Sequence, residues 1–257
     1  MNKQKGFTLI ELLVVIAIIA VLMGILMPTL RSAREQGRRA VCLSHVKSLI
    51  TGIYVYAADY DDHIPASIDG MNASWNFICW QTYDPPPRWI NLGRLYGTGI
   101  IKDPEIFYCP AQQNPVLKKG RQEEEDGGWN WISPTGNEIR AISYMYGLLA
   151  EIRSAPELEL KSMKLSALKN RALISDVFMP FGEGPVTAHP RGLSTGFGAG
   201  HVEFVKVDKN VMDIAGQFGA TPGDAQRNER DLFTAAMYEL LAGKPQAMEL
   251  HFTPQGD

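Results

Sequence analysis

The sequence predicts an α+β protein. A long N-terminal membrane-spanning helix continues as a stem and packs on a small antiparallel β-sheet head with long loops. Three observations lead there. Phe7–Met27 is a 21-residue segment, apolar except for Thr8, Glu11 and Gly24. Apolar residues then recur at steps of four and three as far as Tyr60. Short β-prone runs follow at Ala141–Leu149, Ala172–Val177 and His201–Val207.

The apolar segment sets the organisation. As a helix it spans ~31 Å, about one bilayer core. Residues 1–6, MNKQKG, form a basic leader before it. The expected divisions are the leader at 1–6, a transmembrane helix at 7–29, an amphipathic stem at 30–62, a globular head at 63–210 and an extension at 211–257. A secretory signal peptide would have a shorter apolar run and a small-residue cleavage site after it, and no A-x-A site follows here. A lipoprotein signal needs an early cysteine, but the first is Cys42. An ordinary signal anchor fits the length and leaves Glu11 unexplained. A carboxylate in hydrocarbon costs roughly 2–4 kcal/mol, so it usually has a functional partner.

Composition excludes little else. Hydrophobic residues make up 45% of the 257 residues, enough to build a core, and the net charge of −3 gives no reason to expect nucleic acid. Cys42, Cys79 and Cys109 form no C-x-x-C pair, which disfavours zinc and thioredoxin-like chemistry and allows one disulfide with one thiol left over.

The stem seam comprises Cys42, Val46, Leu49, Ile53, Tyr56 and Tyr60, with His45 and Lys47 off it. YDDHIP, ending at Pro65, offers the stop. Residues 66–137 lack sustained periodicity and carry Trp75, Trp80, Trp89 and Pro85–Pro87, the pattern of a packed loop region. Glu123–Asp126 form a solvated acidic loop. HVEFVKV alternates like a half-buried strand, and Gly196, Gly198 and Gly200 mark a tight turn before it. Leu232, Phe233, Ala236, Met237, Leu240 and Leu241 share a helical face, stopped by Gly243 and Pro245.

KGFTLIELLVVIAIIAVL closely resembles the class III signal of type IV prepilins and type II secretion pseudopilins. The resemblance implies cleavage after Gly6, N-methylation of Phe7 and an assembly role for Glu11. In a filament Glu11 would neutralise a neighbour's N-terminal amine and set the axial register. The resemblance also implies a kink at Pro28, although a proline can equally end a helix. A positive-inside count would put Arg31, Arg34, Arg38 and Arg39 in the cytoplasm rather than Lys3 and Lys5, but long domains translocate regardless of charge. The resemblance puts the leader in the cytoplasm. It implies a single-pass protein of the bacterial inner membrane, its body in the periplasm and extractable into a filament. The partners implied are prepilin peptidase, an inner-membrane assembly platform, other filament subunits and membrane lipid.

RRAVCLSHVKSLITGIYVYAADYDDHIP narrows the resemblance to large planctomycete-type pseudopilins. Their pattern reads C-x-x-N-L-x-Q-x-x-x-A-x-x-x-Y-x-x-D-x-x-G-x-x-P. Cys42, Tyr56, Asp59 and Pro65 match it, and His45 stands where asparagine is usual. FYCP at Phe107–Pro110 resembles the family's F-x-C-P element and implies a Cys42–Cys109 disulfide with Cys79 unpaired. Two buried thiols are the other reading of that pair. His189 to Gly200 keeps the spacing of the family's H-x9-D-G motif, but Ala199 replaces its aspartate. The role of that motif is unknown. His189, His201 and Asp176 could ligate a metal, yet histidines beside tight turns more often make structural hydrogen bonds. No metal and no other cofactor is expected.

Three functions follow. The first is a structural subunit of a type II secretion pseudopilus or related filament. The others are a membrane-tethered enzyme with residues around His189 and His201, and a minor filament protein binding a ligand through the aromatics at 75–89. No H-E-x-x-H or P-loop occurs, and no enzyme activity is expected.

Overall fold

The computed structural model describes residues 9–65, 78–81, 88–114, 117, 140–146, 164–169, 171–178, 187–189, 191–208, 237, 240–241 and 243. The chain divides into two compact units, Met1–Arg38 and Arg39–Asp257. Helix α1, Leu9–Asp59, supplies residues to both.

Within the first unit every described residue from 9 to 34 is exposed, including the large apolar side chains from Leu9 to Leu30. That face cannot stay in water without cost, at about 25 cal/mol per Å2. Among the described residues α1 is the one helix long and apolar enough to cross a membrane. It runs unbroken through Pro28, so the proline does not end it. The Thr29 hydroxyl donates to the Leu26 carbonyl at 2.8 Å.

In the second unit α1 buries Cys42, Val46, Leu49, Ile50, Gly52, Ile53, Tyr56 and Ala57. Their spacing makes one stripe, and each fully buried Leu or Ile contributes roughly 1.5–3 kcal/mol. Tyr60, expected on the seam, is 46% exposed and stacks on Tyr56 with ring centroids 4.1 Å apart. The helix has already ended there. Asp61 and Asp62 take left-handed backbone, and the Asp62 N–H reaches back to the Ala57 carbonyl at 2.7 Å. This backbone bond closes the helix end, and aspartate tolerates the conformation.

A four-stranded antiparallel sheet forms the main layer against α1. Its order is β4 (Tyr144–Tyr146), β5 (Ala172–Asp176), β6 (Gly192–Phe197), β7 (Val202–Lys206). A smaller antiparallel sheet has β1 (Ile78–Gln81) between β2 (Arg88–Trp89) and β3 (Arg140–Ala141). Helix α2, Gly93–Gly97, follows β2. A 3-10 turn at Pro104–Phe107 leads to Cys109, its Glu105 N–H capped by the Asp103 carboxylate.

Three expectations need correction. The run Ala141–Leu149 divides, with Ala141 in the small sheet and Tyr144–Tyr146 in the large one. Residues 66–137 contain β1, β2 and α2 as well as loops. Gly196 lies inside β6 rather than in a turn, because only a bare backbone fits there. A Cβ at Gly196 would stand 2.6 Å from Ile50 Cγ1 and 2.8 Å from Val46 Cγ1. The turn itself is Gly198–Gly200, with the Gly200 N–H on the Phe197 carbonyl and Gly200 at φ +90.

Gly192–Gly196 read G-x-S-x-G, the spacing of a nucleophile elbow. Here it lies within β6 and leads to a turn and β7, not to the helix that a nucleophile elbow requires. Ser194 is buried and its hydroxyl has no hydrogen-bond partner among the described residues, whereas a serine nucleophile takes an adjacent base.

Of the C-terminal segment, Met237, Leu240 and Leu241 are helical, with Met237 and Leu241 buried. Leu232, Phe233 and Ala236 lie outside the described residues, as do Trp75, Pro85–Pro87 and Glu123–Asp126.

Candidate functional site

Two places carry chemistry. The first is the start of α1. Gly6 and Phe7 lie outside the described residues. Glu11 occupies the first turn of α1 and is exposed. A carboxylate there interacts favourably with the helix dipole.

The second place is inside the second unit. Cys42 on α1 and Cys109 after the 3-10 turn are joined by a disulfide, with Cα atoms 5.3 Å apart. Cys79 is free of disulfide bonding and buried. Asp176 at the end of β5 and His189 in the turn before β6 reach the same point. One ligand atom from each of Cys42, Cys109, Asp176 and His189 lies within 4.8 Å of the other three. All four residues are buried. The Ser194 N–H donates to Asp176 Oδ2 at 2.6 Å, and His189 Nε2 lies 3.5 Å from Cys109 Sγ. The Phe204 ring meets His189 edge-on at 5.7 Å, and Arg39 covers Phe204 at 4.3 Å. Tyr144 faces Asp176 in register across β4 and β5. Burial, and then the Asp176 charge, push the Tyr144 phenol well above its ordinary value, so it stays neutral.

His201 does not join this group. It is exposed and stacks on Phe197 at 4.3 Å. Ala199 is exposed in the β6–β7 turn. His45, off the predicted seam, hydrogen-bonds the Tyr108 carbonyl at 3.0 Å. Since a carbonyl only accepts, Nδ1 carries the proton, and the ring supplies the donor that an asparagine amide would supply. Lys47 donates to the Gly200 carbonyl at 2.7 Å and Tyr54 to the Gly198 carbonyl at 2.6 Å. Stem residues thus hold the β6–β7 turn.

A family model described as a prokaryotic N-terminal methylation motif matches residues 1–27. The type II secretion system core protein G of Pectobacterium carotovorum subsp. carotovorum is 33% identical over 86 residues, which is 34% of this chain and 53% of that protein. The core protein G of Pseudomonas aeruginosa is 30% identical over 134 residues, 50% of this chain and 92% of that protein. The chain belongs to the pseudopilin-like type IV pilin superfamily. This pseudopilin-like chain is also 40% identical over 63 residues to the type IV wide pilus major component PilA4 of Thermus thermophilus, covering 24% of the chain and 48% of that protein. It spans about half the length of the first curated relatives it matches. No solved structure matches it. The superfamily's long apolar N-terminal helix followed by a small antiparallel sheet is the architecture found here. That helix fits an inner-membrane anchor.

Proposed function

We propose that this chain is a pilin-like structural subunit of a type II secretion pseudopilus or a related filament, with no enzymatic role. Its precursor inserts in the inner membrane as a single span, with the leader in the cytoplasm and the second unit in the periplasm. A prepilin peptidase cuts between Gly6 and Phe7, and the new N-terminus is methylated. An assembly platform then moves the subunit from lipid into the filament.

One observation carries this reading. A first-turn Glu11 stands in the exposed, otherwise apolar helical run Leu9–Met27, which falls within the matched methylation motif. Lipid first, and neighbouring helices later, would cover the apolar surface. In that low-dielectric setting the Glu11 carboxylate pairs with the Phe7 amine of a neighbouring subunit, a charge-assisted contact with a fixed axial offset. Mass spectrometry of the N-terminus from the membrane fraction tests it. The expected mature chain is Phe7–Asp257 with a methylated amine; an intact Met1 end overturns the reading.

A further inference from the structure

We propose that Cys42, Cys109, Asp176 and His189 form a metal site, selective for a zinc-like divalent cation, whenever the two cysteines are reduced. The disulfide and the metal are alternative closures of the same buried point. This site is independent of how the chain assembles.

The donor set is the first argument. Two thiolates, one imidazole and one carboxylate are the ligands that suit a tetrahedral zinc ion. The second argument is geometry. Tetrahedral bonds of ~2.0–2.3 Å space ligand atoms by roughly 3.3–3.8 Å. The present atoms fall within 4.8 Å of one another, so small side-chain movements suffice. On reduction the two sulfurs must move apart, toward the metal spacing. His189 presents Nε2 to Cys109 Sγ, which identifies the ligating nitrogen. The third argument is preorganisation. The Ser194 N–H orients the Asp176 carboxylate, and Phe204 fixes the His189 ring edge-on. Burial of all four residues excludes competing water.

The ligands also come from four separate places: α1, the segment after the 3-10 turn, the end of β5 and the turn before β6. A metal there ties together the stem and the sheet before a disulfide exists. Reduction by a dithiol consumes the Cys42–Cys109 bond, yields two thiols and leaves the reductant as a disulfide. Metal binding then releases the two thiol protons to solvent. In the reverse direction, a disulfide oxidant accepts two electrons from the thiolates, the intramolecular bond re-forms and the cation departs.

Cobalt(II) reports the ligands directly. The full chain is purified in detergent, reduced with a phosphine without oxygen, and titrated with Co2+. One equivalent should bind, with thiolate-to-cobalt charge-transfer absorption and the ligand-field bands of a four-coordinate ion. The disulfide form should bind none at this site. Asp176→Asn and His189→Gln keep side-chain volume, and each should weaken binding by at least the ~10-fold that loss of a mere outer-shell partner costs. Cys79→Ser should leave the titration unchanged. Absence of stoichiometric binding by the reduced wild-type chain overturns the proposal. So does a thiolate spectrum whose affinity is untouched by both the Asp176 and His189 variants, since that marks a two-cysteine adventitious site.

Discussion

Gly196 of β6 lies directly against Ile50 of α1, and the contact leaves no room for a Cβ, which would stand 2.6 Å from Ile50 Cγ1. The crowded atom belongs to the body of the isoleucine, not to a flexible end. Gly196→Ala should therefore destabilise the second unit by about 1–3 kcal/mol. Denaturant unfolding of the purified chain measures it. Adding Ile50→Ala, which removes the crowded Cγ1, to Gly196→Ala should cost less than the sum of the two single changes, because the pair shares one space. Simple additivity would show that the crowding is relieved elsewhere.

The disulfide spans 67 residues of sequence. On the chain-entropy account a loop of that length contributes ~4 kcal/mol. Cys42→Ser with Cys109→Ser, compared with the oxidised parent in metal-free buffer, should lose a few kcal/mol of unfolding free energy. The Cys79→Ser control should lose far less if only packing is disturbed. Equal losses would remove the disulfide from any special role in stability.

Asp62 fastens the turn at 164–169. Its Oδ2 accepts from the Ser166 hydroxyl at 2.5 Å and from the Ser166 N–H at 3.3 Å, and its carbonyl accepts from Leu165 N–H at 2.8 Å. The Ser166 hydroxyl bond, chiefly, holds the Asp62 carboxyl below the ordinary carboxylate range. A folded value below the unfolded one means the contribution is complete above about pH 4 and is lost as pH falls through the folded value. Amide exchange at residues 164–169 should speed up, relative to the core, on acidification below about pH 4. Asp62→Asn should flatten that dependence. A profile unchanged by the substitution would assign the effect to another group.

Glu11→Val should spare membrane insertion, since it removes the one carboxylate from the apolar run. Recovery in the membrane fraction should match wild type, while crosslinking between subunits in filaments should fall sharply. Wild-type incorporation of this variant would exclude the amine–carboxylate contact.

The helix was legible because its two signals differ in kind. An apolar run without a polar face reads as a membrane segment, and the steps of four and three through Val46, Leu49 and Ile53 read as a packed seam. β7 was legible through its alternation. β6 was not: Gly192, Ser194, Thr195 and Gly196 carry little hydrophobic signal, yet the strand lies between β5 and β7 and is buried throughout. Its glycine answers to the neighbouring helix, a tertiary demand no local pattern displays. The buried cluster was only half legible. His189 and Asp176 stood out as titratable residues, and the cysteines as a pair, but nothing in spacing joins the two pairs. His201, at the other end of β6 beside the β6–β7 turn, lies in a different environment, stacked on Phe197.

Cys42 is the first residue of α1 to be buried. Chain connectivity alone makes this a mechanical fact. Tension entering from the residues before it meets a covalent bond to Cys109 ahead of any packing at Val46, Leu49 or Ile53. Peeling the stem from its N-terminal side would thus require sulfur–sulfur scission before hydrophobic contacts could unzip one by one. A subunit drawn by its anchor would bear the load through a rivet, with the core shielded behind it.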